Sequence, residues 1–269
     1  MGKRVLVTGC SSGVGRALVG ELAARSHHVV ATARRVESLE GLDAALKLAL
    51  DVTDPTSVAA AVAAAGPIDV LVNNAGFSLW GVVEAVDDVD LERLFDTNVF
   101  GAVRMIRAVL PQMRARRSGA IFQISSAAAK RSTAMLGHYA ASKAALDAYS
   151  EALRIELAPF RIAVCTVVLG AVESAIGDNR QSVEMSEYDA VMAAARQRVA
   201  RNRTTPATAE AVARTLSDAI ELDRPPVRLD GCGNSFALVG GRVAQGDAEW
   251  EDASLTELFG ADWKQQFDL

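Results

Sequence analysis

Tyr139 and Lys143 stand four positions apart in the stretch YAASK. On a helix that spacing puts a phenol and an ammonium on one face, one turn from each other. The chemistry such a pair can do is proton transfer. A phenol with an ordinary pKa of ~10 is a poor base near neutrality, and a nearby ammonium favours the phenolate and lowers that value. Such a group could give a proton to the oxygen left when a carbonyl accepts a hydride. The same two residues also occur together on ordinary solvated helix faces, so the pair acquires meaning only with partners.

A first partner lies near the N-terminus, where TGCSSGVG spaces Gly9, Gly13 and Gly15 between a strand-like run and an amphipathic stretch. Gly9 allows a tight turn, Gly13 lets backbone approach a pyrophosphate, and Gly15 allows close helix–sheet contact with the helix N-terminus facing the anion. Ser11, Ser12 and Val14 belong to the same candidate cradle. A glycine-rich turn without a ligand would use the same residues. At the end of the second apolar run, ATARR sets Arg34 and Arg35 where NAD-dependent enzymes of this architecture carry an acid. A guanidinium there can hold a 2′-phosphate in a fork, which favours NADP(H) over NAD(H). Asp51 and Val52, in LDVTD, could bracket an adenine, and Asp51 could equally be a helix N-terminal signal.

The elements that must position these groups follow from the pattern of apolar runs. RVLVTG, HVVATA, ALKLAL, DVLVNNAG, GAIFQISS and RIAVCTVVLG read as strands. Their continuous Val/Ile/Leu content suits burial on both faces of a parallel sheet. Helical stretches alternate with them: one after the glycines, one from Pro55, one from Leu91 to about Arg117, one from Tyr139 to Leu157 and one after Pro206. Strand–helix alternation with right-handed crossovers gives a doubly wound, mostly parallel sheet with helices on both faces. The expected organisation is a single domain over 1–269, with a lid-like insertion at 171–205 and a C-terminal extension at 231–269.

Composition narrows the function classes. A net charge of −5 and a pI near 5.3 argue against a nucleic-acid surface. No apolar run reaches the ~18 residues of a membrane span. No signal peptide is apparent, and three dispersed cysteines (Cys10, Cys165, Cys232) suit reduced thiols. No metal motif is present, and the expectation is a cytoplasmic protein.

TGCSSGVG, NNAG (Asn73 to Gly76), the Asn98 of DTNVFG, ISS and YAASK occur in one order, and together they closely resemble the short-chain dehydrogenase/reductase family over roughly residues 3 to 230. The resemblance implies a catalytic tetrad of Asn98, Ser126, Tyr139 and Lys143. In that family the serine lies 13 residues before the tyrosine, which selects Ser126 over Ser125. Ser126 would hold the carbonyl oxygen, Lys143 would also reach the nicotinamide ribose, and Asn98 would interrupt a helix and hold a water beside Lys143. Asn74, Ala75 and Gly76 would lie under the cofactor, with Asn73 as support. After the sixth strand the family's proline is replaced by Leu169 and its threonine by Ser174. Gly170, Val172 and Ser174 remain candidates for the nicotinamide end.

Phe77 and Trp80 follow NNAG, Leu136 precedes the tyrosine, and Met185 and Tyr188 share a stripe with Met192 in the insertion. They could line an apolar pocket or simply pack. The expected activity is an alcohol dehydrogenase or carbonyl reductase acting on an apolar or aromatic ketone or secondary alcohol. A dinucleotide-binding sensor without chemistry, or a dehydratase or epimerase, would share the fold. A homodimer or homotetramer through the long helices is the expected assembly, with Leu91, Leu94 and Phe95 as a candidate contact stripe.

Overall fold

A computed structural model of the chain describes residues 2–173, 181–201, 206–244 and 247–266. The first half runs β1 (Arg4–Val7), α1 (Gly13–Ala24), β2 (His28–Ala33), β3 (Leu46–Ala49), α2 (Pro55–Ala65), β4 (Val70–Asn73) and β5 (Leu79–Trp80). Next come α3 (Asp88–Phe95), a π-helical segment (Asp96–Gly101), α4 (Ala102–Arg116), β6 (Gly119–Ser126) and α5 (Gly137–Leu157). The last part holds β7 (Ile162–Leu169), β8 (Val172–Glu173), β9 (Gln181–Ser182), α6 (Asp189–Arg201), β10 (Ala207–Thr208), α7 (Ala209–Glu221) and β11 (Arg228–Asp230). Three helices close the chain: α8 (Ser235–Val243), α9 (Asp247–Phe259) and α10 (Trp263–Gln266).

Seven strands form one parallel sheet in the order β11-β7-β6-β4-β1-β2-β3. Successive strand residues point to opposite faces, and this alternation divides the core. Val5, Val7, Val29, Ala31, Phe122 and Val167 pack with Leu18 and Leu22 of α1 and Val212 and Leu216 of α7. Leu6, Val30, Leu71, Ile121 and Val164 pack on the other side with Val58 of α2 and Met105, Val109 and Met113 of α4. Both faces are therefore dry, as the continuous apolar runs require. β1 is flanked by β2 on one side and β4 on the other, and that reversal of strand order opens a crevice at the carboxyl ends of the strands.

Asp54, not Asp51, caps α2, accepting from the Thr56 N–H with Pro55 in the first turn. The helix expected from Leu91 to Arg117 is α3, the π segment and α4 in succession. Leu94 is fully buried, so the Leu91/Leu94/Phe95 stripe turns at least that residue inward. The C-terminal extension is helical: α9 packs on α6, and Leu258 joins Trp80, Val82, Met135, Met192 and Ala195 in a third apolar cluster. Arg131 and Arg198 both bridge to Glu257 of α9. Among the described residues no helix is long and apolar enough to cross a membrane.

Candidate active site

The glycine turn after β1 is held open by its neighbours. Gly9 has φ +72° and Gly13 φ +56°, the left-handed region that glycine enters without a Cβ penalty. A Cβ on Gly9 would lie 2.9 Å from Ala75 Cα, and one on Gly15 would lie 2.5 Å from Asn74 Nδ2. The Thr8 hydroxyl accepts from the backbone N–H groups of Asn74 and Ala75 at 3.0 and 2.9 Å. Asn74 Nδ2 donates to the carbonyls of Thr8 and Gly9 at 2.9 and 3.0 Å. The Asn74 side chain therefore braces the turn, and Thr8, which the motif reading passed over, is the clamp between the two loops. Asn73 lies deeper, donating to Gln123 Oε1 at 2.7 Å.

α1 begins with no side-chain cap from Ser12 and no acid in its first turn. Ser11 and Ser12 are exposed, and Val14 is buried beneath them. A positive helix end with no side-chain cap, reached by a turn whose glycines allow it to pack tightly on Asn74 and Ala75, fits the pyrophosphate of a dinucleotide. Arg34 and Arg35 are exposed at the end of β2. Burial acts to raise the Asp51 carboxyl, but two bonds from Thr53, joined by the charges of Arg34 and Arg104, hold it below the ordinary value. Val52 is buried against Gly101.

Asn98 sits in the π segment, 1% exposed. Its Oδ1 accepts from the Phe77 N–H at 3.0 Å, and its Nδ2 donates to the Phe77 carbonyl at 3.0 Å and to Ser142 Oγ at 3.2 Å. The carboxamide thus ties the loop after β4 to α5, and a Cβ on Gly76 would lie 2.9 Å from its Oδ1 and 3.7 Å from Lys143 Nζ.

β6 and α5 supply the remaining groups. Ser126 is hydrogen-bonded to the Tyr139 phenol, and its Oγ accepts from the Ala128 N–H. Lys143 is buried, and its Nζ donates to the Ile124 carbonyl at 2.9 Å and lies 5.8 Å from the centre of the Tyr139 ring. Burial pushes the ammonium down to about 8 despite the opposing charge of Asp147. Burial also raises the Tyr139 phenol, with the Ser126 bond acting the other way. Within the protein alone, then, the phenol stands above its ordinary value, opposite to the lowering expected from Lys143.

Of the candidate substrate residues, Trp80 packs in the third cluster with Met135 and Met192, and Met185 and Tyr188 lie against it. Tyr188 also donates to Glu84 at 2.6 Å. Phe77 is set apart, with the Arg93 guanidinium 5.0 Å over its ring. Leu136 is the half-buried residue preceding α5. At the nicotinamide end, the Gly170 N–H donates to Cys232 Sγ at 3.3 Å, and Val172 is held in β8 against Ala207. Ser174 lies outside the described residues. No group of three or more His, Cys, Asp or Glu placed to hold a metal occurs among the described residues.

Residues 3–184 match the short chain dehydrogenase family, adh_short. The chain is 39% identical over 186 residues to a 3-ketodihydrosphingosine reductase of Bacteroides thetaiotaomicron, covering 68% of each protein. It is 40% identical over 200 residues to human retinol dehydrogenase 8, covering 69% of this chain and 64% of that protein. The matches span about two thirds of the length of these curated relatives. The structure of a short-chain dehydrogenase from Streptomyces avermitilis superposes with a TM-score of 0.82 at 35% identity, covering 94% of this chain and 97% of the other. With its parallel seven-stranded sheet and a glycine turn at the switch point, the chain belongs to the short-chain dehydrogenase/reductase family of oxidoreductases, which work with nicotinamide dinucleotides.

Proposed function

We propose that this protein is an NADP(H)-dependent oxidoreductase interconverting a ketone and a secondary alcohol on an apolar or aromatic substrate. The observation that carries the reading is the meeting of Ser126 with the Tyr139 phenol, with buried Lys143 one turn further along α5. When bound, NADP(H) supplies or accepts the hydride at the carbonyl carbon. The chain's own residues manage the oxygen and the proton. The Ser126 hydroxyl donates to the carbonyl oxygen and fixes it beside Tyr139. Burial keeps the phenol protonated, so in reduction it acts as the acid, and the Lys143 charge stabilises the phenolate it leaves. In oxidation the phenolate takes the alcohol proton. Asn98 holds the loop after β4 against α5 and so sets the spacing between cofactor floor and helix.

The two exposed arginines at the end of β2 support the 2′-phosphate, and thus NADP(H). The named relatives act on a ketone and an alcohol, 3-ketodihydrosphingosine and retinol, which agrees with the carbonyl–alcohol pair. Assembly as a homodimer or homotetramer in the cytoplasm completes the reading, and exposed Phe100, Tyr149 and Ile155 offer apolar contact area. The test is NADPH consumption over a panel of aliphatic, aromatic and polycyclic ketones, with wild type and Tyr139→Phe compared. A positioned acid contributes about 10²–10⁴-fold, so Tyr139→Phe should lose that much kcat while still binding NADPH. Wild-type turnover in the variant would sink the acid role.

A further inference from the structure

Three consecutive residues of β6 each bind a side chain of α5, and the three helix partners are spaced one turn apart. Ser126 bonds Tyr139, the Ile124 carbonyl accepts from Lys143 at 2.9 Å, and Ser125 Oγ donates to Asp147 Oδ1 at 2.5 Å. Residues 139, 143 and 147 share one helix face. Asp147 is 1% exposed, and a carboxylate buried that deeply is costly unless it is paired. Its second oxygen accepts from Arg228 at 3.2 Å, and Arg228 continues to Glu151 at 2.5 Å. The charges alternate from the site to the surface: Lys143, Asp147, Arg228, Glu151.

We infer that Asp147 is a positioning residue of this site. Through Ser125 it fixes the end of β6 that carries the Ile124 carbonyl and the Ser126 hydroxyl, and its charge balances the buried Lys143 ammonium. The inference rests on the catalytic reading given above. The ionisable groups on Lys143's own helix face are Tyr139 and Asp147. β6 and the Asn73–Gly76 turn contain no ionisable residue, and the π segment contributes Asp96, already paired with Arg104 at 2.7 Å. Beyond Asp147 lie Arg228 and Glu151. Burial and the Asp147 charge act on the ammonium in opposite directions, so the carboxylate sets how far into the alkaline range Lys143 keeps its proton.

The experiment is a pH titration of the full chain labelled with [¹³C]lysine. The chain has five lysines, Lys3, Lys47, Lys130, Lys143 and Lys264, and the Lys143 signal is assigned by its loss in Lys143→Met. The wild-type midpoint should fall at about 8. Asp147→Asn keeps an acceptor for Ser125 but removes the charge, and should lower the midpoint by about one pH unit or more. Arg228→Gln frees the Asp147 charge and should raise it. In kcat against pH, the alkaline limb should move in the same direction as each midpoint. Ser125→Ala should leave the midpoint in place and reduce kcat roughly tenfold, the cost of about one hydrogen bond. Unmoved midpoints in the two charge variants, or wild-type kcat in Ser125→Ala, would overturn the corresponding half of the inference. If Asp147→Asn does not fold, Arg228→Gln and Ser125→Ala decide alone. If the wild type reduces no carbonyl on the panel, the catalytic reading fails, while the lysine titration still decides the role of the Asp147 charge.

Discussion

Replacing Lys143 by Met should abolish turnover and yet stabilise the protein near neutral pH. The side chain is 6% exposed, and burial displaces its ammonium from the ordinary lysine value of 10.5 to about 8. Each unit is worth 1.36 kcal/mol, so keeping this group charged in the fold costs about 3 kcal/mol at pH 7. The sign follows from proton counting. Between pH 8 and 10.5 the unfolded chain holds the Lys143 proton and the folded chain does not, so the wild type gains stability as pH rises through that window. Met does not titrate. Part of the gain at pH 7 is offset because the Ile124 carbonyl loses its 2.9 Å donor, a loss of about 1–3 kcal/mol if that carbonyl is left unpaired. The slope is insulated from that offset. Urea denaturation of both proteins at pH 7, 8, 9 and 10 should show the variant's advantage shrinking by about 2–3 kcal/mol across the series. Other alkaline titrations cancel in the difference, including those of the buried thiols Cys10 and Cys165, each pushed up to about 12. Parallel stability curves for the two proteins would refute the argument that Lys143 is charged at a cost.

Arg34→Ala should raise the KM for NADPH by about 10–100-fold, the worth of a charge-assisted bond, and leave the KM for NADH nearly unchanged; equal effects on both would remove the 2′-phosphate argument. Gly15→Ala places a methyl group against the Gly9 carbonyl and 2.5 Å from Asn74 Nδ2. It should weaken NADPH binding, measured by fluorescence titration, by about tenfold or more, the scale of an overpacked site, and unaltered affinity would show that the turn can relax.

The sequence exposes most of this design because much of it is local. Continuous apolar strands, the glycine turn and the Tyr139–Lys143 pair each follow from spacing within one segment. The roles of Thr8 and Asn74 are less visible, since they depend on two loops that meet only when β1 and β4 pair. Asn74 looks like part of a cofactor floor in the motif, but its side chain is spent on the carbonyls of Thr8 and Gly9. Asp147 could have been noticed as the next member of the i, i+4, i+8 series after Tyr139 and Lys143; its partners Ser125 and Arg228 are 22 and 81 residues away. The short strands β5, β8, β9 and β10 are two residues each, too brief for any period to show. The tail helices α8 to α10 carry no motif. The lowering of the Tyr139 pKa expected from Lys143 rests on charge alone, whereas burial, a property of the whole fold, raises it.

The π segment between α3 and α4 also works as a phase corrector. Leu94, Asn98 and Ala102 are all buried, at 0%, 1% and 7% exposure. At about 100° per residue, the eight steps from Leu94 to Ala102 in an unbroken α-helix would overshoot two full turns by roughly 80°. The wider turn of the π segment takes up that excess. It lets one continuous helical run face inward at Leu94, at the Asn98 carboxamide and at the Met105–Met113 stripe of α4. Removing a single residue from Asp96–Gly101 would leave seven steps, about 700° in an ideal α-helix, so α4 would keep its phase to within roughly 20° while the widened turn that carries Asn98 would be lost. The irregular stretch of the helix is thus what keeps the tie between Asn98 and Phe77 in line with the core.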